Sequence, residues 1–220
     1  MPARPPRAER FTIEGPAGAI EALLETPHGE DVAHFAVVCH PHPLYGGTLD
    51  NKVVYTLARA FEELGAPTIR FNFRGVGASA GAFDRGEGEV ADALAVIAYG
   101  RRRWAGAALW LAGFSFGGAI ALRCEPQARP ERLVVVAPGI TLMDVGSAAP
   151  SCPALVIQGD ADDVIEPRHV LDWAAGLSPR PETSVLAGAG HFFHGRLPDL
   201  RQAVLAFMHP AGHPGPGGPD

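Results

Sequence analysis

Six short runs rich in Val, Leu, Ile, Phe and Ala punctuate this chain, at 34–39, 67–73, 107–112, 133–137, 154–158 and 183–186, and most are separated by stretches with helical spacing. Within 51–64 the apolar positions Val53, Val54, Leu57, Ala58, Phe61 and Leu64 fall on one helix face, and Gly65 follows as a stop. Residues 87–103 present Val90, Ala91, Leu94, Ile97 and Ala98 in the same way, 167–177 opens on Pro167, and 197–208 closes the series. Strands that are apolar almost throughout must be covered on both faces. This pattern therefore predicts an α/β fold, with a mostly parallel central sheet and helices on both sides. Ahead of it, residues 11–14 and 19–25 flank the turn-forming Gly15-Pro16-Ala17-Gly18, which predicts an antiparallel hairpin at the sheet edge.

A chain of 220 residues is long enough for one substantial core, so a single domain is expected over 11–209. The Pro- and Arg-rich residues 1–10 are expected to be disordered and the Gly/Pro-rich residues 210–220 to be a flexible tail. Net charge is −6 and basic residues are scattered apart from Arg101-Arg102-Arg103, a distribution that argues against nucleic-acid binding. The triplet suits a helix C-terminus, where cations meet the negative dipole end. The apolar stretch 105–122 approaches membrane-span length but contains a Gly-Ser-Gly turn, so it reads as strand plus helix and no membrane association is expected. Cys39, Cys124 and Cys152 lack metal-type spacing; core thiols of a cytoplasmic protein are the simplest account.

Chemistry concentrates at Gly113-Phe114-Ser115-Phe116-Gly117, where the run at 107–112 meets the helix-favouring Gly118-Ala119-Ile120-Ala121-Leu122. A serine on a sharp strand-to-helix turn is presented above a sheet, and glycines two positions either side permit the close backbone approach such a turn needs. Serine is a poor nucleophile at neutral pH, so it requires a base within hydrogen-bond reach and a group that orients the base. Two later loops, each directly after an apolar run, offer these groups: Asp160, Asp162 and Asp163 in one, His191 and His194 in the other. His191 follows the last strand directly, with Gly188 and Gly190 freeing its loop; His194 suits a pocket or helix start.

Residues 11–208 resemble the α/β-hydrolase superfamily, and within it the small bacterial branch of serine hydrolases without a cap domain, akin to dienelactone hydrolases. Four stretches carry the resemblance: His40-Pro41-His42-Pro43-Leu44-Tyr45-Gly46-Gly47 with Asn51-Lys52-Val53-Val54; Phe71-Asn72-Phe73-Arg74-Gly75-Val76-Gly77-Ala78-Ser79; the serine turn; and the Asp and His loops in the order Ser, Asp, His. The resemblance implies an α/β-hydrolase fold and ester hydrolysis through an acyl-enzyme, with Ser115 as nucleophile, His191 as base and, from Gly159-x-x-Asp162-x-Val164, Asp162 as the orienting acid. Asp160 and Asp163 are then solvated or capping carboxylates. Such chemistry needs no cofactor and no metal; thioesters and peptides are alternative substrates.

An oxyanion hole requires two N–H groups. The family implies Phe116 for one and the loop after the strand at 34–39 for the other. Pro41 and Pro43 have no N–H, which leaves His42, Leu44 and Tyr45, and the resemblance favours His42. His40 is expected to fix the loop, Asn51 and Asp50 to cap the next helix, and Arg74 and Ser79 to act as scaffold. Only residues 138–153 separate two successive strands, too few for the helical cap of many relatives, so an open site is expected with Leu44, Tyr45 and Phe192 at its wall. Three rivals are a zinc site drawn from His40, His42, Asp162 and His191, a Cys39 nucleophile, and a non-catalytic binding protein on the same fold. Monomer or homodimer is left open by the sequence.

Overall fold

The computed structural model, which describes residues 7–27 and 32–208, forms one sheet from eight strands. They are β1 (Arg7–Gly15), β2 (Gly18–Thr26), β3 (His34–Cys39), β4 (Thr68–Phe71), β5 (Ala108–Phe114), β6 (Arg132–Val136), β7 (Ala154–Gly159) and β8 (Glu182–Leu186). Five helices accompany them: α1 (Lys52–Glu63), α2 (Glu87–Arg103), α3 (Phe116–Ala128), α4 (Pro167–Gly176) and α5 (Leu197–Met208). The spatial order is β1-β2-β4-β3-β5-β6-β7-β8. From β4 to β8 all pairs are parallel; β2 runs antiparallel to both of its neighbours and makes the expected edge hairpin with β1.

Strand alternation divides the core in two. In β3, Phe35, Val37 and Cys39 face one side with α2, α3 and α4, while Ala36 and Val38 face the other with α1 and α5. In β5, Leu109 and Leu111 join the first side, and Trp110, Ala112 and Phe114 the second. A side-chain period of two on a doubly covered sheet requires this split. The parallel strands point their carboxyl ends the same way, so the loops after β3, β5, β6, β7 and β8 gather at one edge of the sheet, where open α/β sheets hold their ligands.

One boundary differs from expectation. Residues 7–10 are not disordered: they open β1, their backbones paired with Thr26, Glu25, Leu24 and Leu23. Edge pairing uses main-chain groups, so Arg7-Ala8-Glu9-Arg10 carries no apolar signal of it. Residues 1–6 and 209–220, which hold the rest of the expected disordered start and the tail, lie outside the described residues. Among the described residues, no helix is long and apolar enough to cross a membrane.

Candidate active site

β5 ends at Phe114 and α3 begins at Phe116, which leaves Ser115 alone between them at φ 55° and ψ −119°. A non-glycine residue at positive φ is strained and persists only where its surroundings fix it. Here the Ser115 N–H donates to the Val136 carbonyl at 2.9 Å, and the Ser115 carbonyl accepts from the N–H groups of Gly118 and Gly139, each at 2.9 Å. The flanking glycines are demanded by space. A Cβ on Gly113 would stand 2.1 Å from the Gly117 carbonyl oxygen, and one on Gly117 would stand 2.4 Å from the carbonyl oxygens of Cys39 and His40. The helix start is therefore pressed against the end of β3, which brings the loop after β3 beside Ser115.

The loops after β7 and β8 complete a buried chain of hydrogen bonds. His191 Nε2 lies 3.1 Å from Ser115 Oγ, and His191 Nδ1 lies 2.9 Å from Asp162 Oδ2. An ionised carboxylate can only accept, so Nδ1 carries the proton and Nε2 receives the Ser115 hydroxyl. Asp162 Oδ1 also accepts the N–H groups of Val164 at 2.9 Å and Ile165 at 2.8 Å. Burial alone would raise the Asp162 pKa, but the His191 bond and these two backbone donors outweigh it and hold the carboxyl below its ordinary value. The Gln158 side-chain amide donates to the same Oδ2 at 3.0 Å. Phe114, fully buried, packs its ring 5.0 Å from the imidazole of His191.

The other candidate residues are placed as follows. Asp160 accepts from the Gly188 N–H at 2.6 Å, which ties the two loops together, and Asp163 is exposed. His194 is exposed and stacks on Phe192 instead of entering the cavity. His40 is fully buried: Nε2 accepts from the Phe73 N–H at 3.0 Å and Nδ1 donates to the Pro41 carbonyl at 2.6 Å. Both of its ring nitrogens are thus engaged away from His191. Among the described residues, no group of three or more His, Cys, Asp and Glu side chains is placed to hold a metal ion. Arg74 grips Asp92 with two side-chain donors, Ser79 Oγ donates to the Asn72 carbonyl, and Asn51 caps α1 through Val53 and Val54; Asp50 instead pairs with Arg10. Cys39 is fully buried and its thiol is pushed well up by that burial, contrary to the needs of a nucleophile.

A cavity of about 400 Å³ opens over Ser115 and His191. Its lining includes Tyr45 and Phe192 of the three candidate wall residues, together with His42, Asn51, Thr141, Leu142, Val164 and Ile165. Leu44 lies outside this lining: it sits mid-turn in the 3-10 segment Pro43–Tyr45, 67% exposed, with its N–H donating to His42 Nδ1 at 3.2 Å. Phe116 is buried against the rings of His42, Phe73 and Phe83, so only its backbone is available to the site. Thr141 and Leu142 belong to the segment that replaces a cap, and their position just past β6 was the one clue to them.

Comparison with known proteins identifies the family. The family model described as Serine aminopeptidase, S33 matches residues 46–150, a span that holds Ser115 but neither Asp162 nor His191. An uncharacterised protein of Rickettsia prowazekii is 34% identical over 208 residues, covering 89% of this chain and 87% of that protein. A lidless α/β serine hydrolase from Xanthomonas campestris superposes with a TM-score of 0.87 at 41% identity, over 94% of this chain and 96% of that one. An α/β serine hydrolase homologue from Coxiella burnetii gives 0.86 at 41% identity, over 91% and 97%. Fold, site geometry and whole-length similarity converge: the chain belongs to the α/β-hydrolase superfamily, in its branch of serine hydrolases without a lid.

Proposed function

We propose that this hydrolase cleaves small carboxylic esters through a Ser115–His191–Asp162 triad. The observation that carries the reading is the unbroken Oγ–imidazole–carboxylate chain at 3.1 and 2.9 Å, beside an open cavity. In the first half-reaction His191 takes the Ser115 proton as Oγ attacks the ester carbonyl, and Asp162 stabilises the imidazolium. His191 then returns that proton to the departing alcohol. Water repeats the sequence on the acyl-enzyme and releases the acid.

Two N–H groups are suited to the tetrahedral oxyanion. Phe116 is the first residue of α3, a position whose N–H has no acceptor within its own helix and which lies at the positive dipole end. In the loop after β3, Leu44 donates to His42 Nδ1 and Tyr45 donates to the His42 carbonyl at 3.2 Å, so both are committed to the turn. Resemblance to the family's loop favours His42 as the second donor.

A peptidase reading is raised by the family model, and the cavity bears against it. An aminopeptidase must receive a protonated amine, which in an apolar site calls for a carboxylate. Among the described residues the cavity lining carries no Asp, Glu, Lys or Arg. An uncharged ester suits such walls. A fluorophosphonate probe and p-nitrophenyl butyrate test the assignment together. Wild type is expected to label and turn over, whereas Ser115→Ala loses labelling and roughly 10⁴-fold or more of its turnover. Ester hydrolysis that survives in Ser115→Ala sinks the triad.

A further inference from the structure

Gln158 ends the apolar run of β7 with a fully buried side chain, although nothing in strand packing calls for an amide there. Its Nε2 donates to Asp162 Oδ2 at 3.0 Å and lies 3.3 Å and 3.5 Å from the carbonyl oxygens of Gly159 and Ile165. Three oxygens therefore surround the amide nitrogen, and the reverse orientation would set Oε1 against all of them. On the far side Oε1 is buried and has no hydrogen-bond partner among the described residues. A stranded buried acceptor is destabilising, and an apolar side chain of the same shape would avoid it. Of the three contacts of the amide nitrogen, the one to Asp162 is the shortest and the only one to a carboxylate, the stronger acceptor. With Gln158 included, that carboxylate accepts four donors: His191 and Gln158 on Oδ2, Val164 and Ile165 on Oδ1.

We infer that Gln158 is a positioning residue of the triad, which fixes Asp162 Oδ2 against His191 and moderates the negative charge that this oxygen presents to the imidazole. The inference rests on the triad assignment above. Two effects follow from the shared oxygen. A carboxylate held at both oxygens cannot rotate away from His191. A second donor on Oδ2 draws off electron density, so the carboxylate stabilises an imidazolium less than it would with His191 as its sole partner on that oxygen. A Gln158 that merely braced the loop would affect stability and leave the pH profile in place.

The test is the rate of Ser115 labelling by a fluorophosphonate, followed across pH in wild type and Gln158→Met, which keeps length and removes the donor. The acid limb is expected to move to higher pH by a few tenths of a unit, with the plateau rate reduced roughly 3- to 30-fold, consistent with loss of one charge-assisted hydrogen bond. A Gln158→Met protein whose acid limb stays at the wild-type pH overturns the inference, whatever its plateau. Absence of labelling in wild type itself would instead overturn the triad. Should Gln158→Met fail to fold, NMR on the wild-type protein decides: the Gln158 side-chain amide protons are expected to shift as acid titrates His191, and their indifference to that titration overturns the inference equally.

Discussion

His40 has no place in the proposed chemistry, yet burial drives its pKa well down. The desolvated ring falls to about 4, its bond to the Pro41 carbonyl opposing the shift and nearby His42 adding to it. Since the folded-state value lies below the ordinary 6.5 or so of an unfolded chain, the unfolded state binds the proton first. The stabilising contribution is therefore complete above about pH 6.5 and declines as pH falls toward 4, by on the order of 3 kcal/mol in all. Asp162 has the opposite charge type but also a lowered value, so its contribution is lost as pH falls from the ordinary carboxylate range downward, mostly in stronger acid than the His40 window. Urea midpoints between pH 7 and 4 are expected to fall for wild type and to be flatter for His40→Asn, which starts from lower stability; parallel slopes in the two proteins would remove His40 as the cause.

At the scale of elements the sharpest constraint is the joint between β5 and α3. Gly117→Ala places a methyl group against two backbone oxygens that no rotamer change can move, so a loss of about 3 kcal/mol or more is expected. Gly176→Ala, at the end of α4 with nothing within 4 Å of the added carbon, is the control and should be neutral to slightly stabilising. Thermal melts of the pair check both; equal midpoints would show that the joint tolerates crowding. This joint was legible in the sequence, because glycines flanking a serine between an apolar run and a helix leave few other conformations. The core helices and strands were legible for a similar reason, since burial on two faces writes itself as apolar periodicity. The start of β1 left no such trace, nor did the outward turn of Leu44, which follows from hydrogen bonds among His42, Leu44 and Tyr45. Gln158 looked like one more strand residue, and its importance arises only when the folded chain sets its amide beside Asp162.

Across the molecule, lateral strand order was beyond reach of periodicity, which records burial and not neighbours; the placement of β3 between β4 and β5 is what brings its loop to Ser115. Among the described residues no lid covers the resulting cavity, and four large apolar side chains of its lining reach solvent: Tyr45, Leu142, Val164 and Phe192 are 87%, 50%, 58% and 48% exposed. Turnover of p-nitrophenyl esters is accordingly expected to rise from acetate toward longer chains, by up to about fourfold in kcat/KM per methylene while the chain still finds wall to cover. Phe192→Ala should flatten that rise and leave acetate nearly unchanged. A series that falls steadily with chain length would refute an apolar acyl site. The proposed nucleophile and base are also far apart along the chain, Ser115 preceding His191 by 76 positions, with Asp162 between them. During synthesis the serine leaves the ribosome with its strand and helix well before its proposed base has been added. On that assignment reactivity is withheld until the chain has passed the last strand, and a fragment ending short of His191 would carry an inert alcohol.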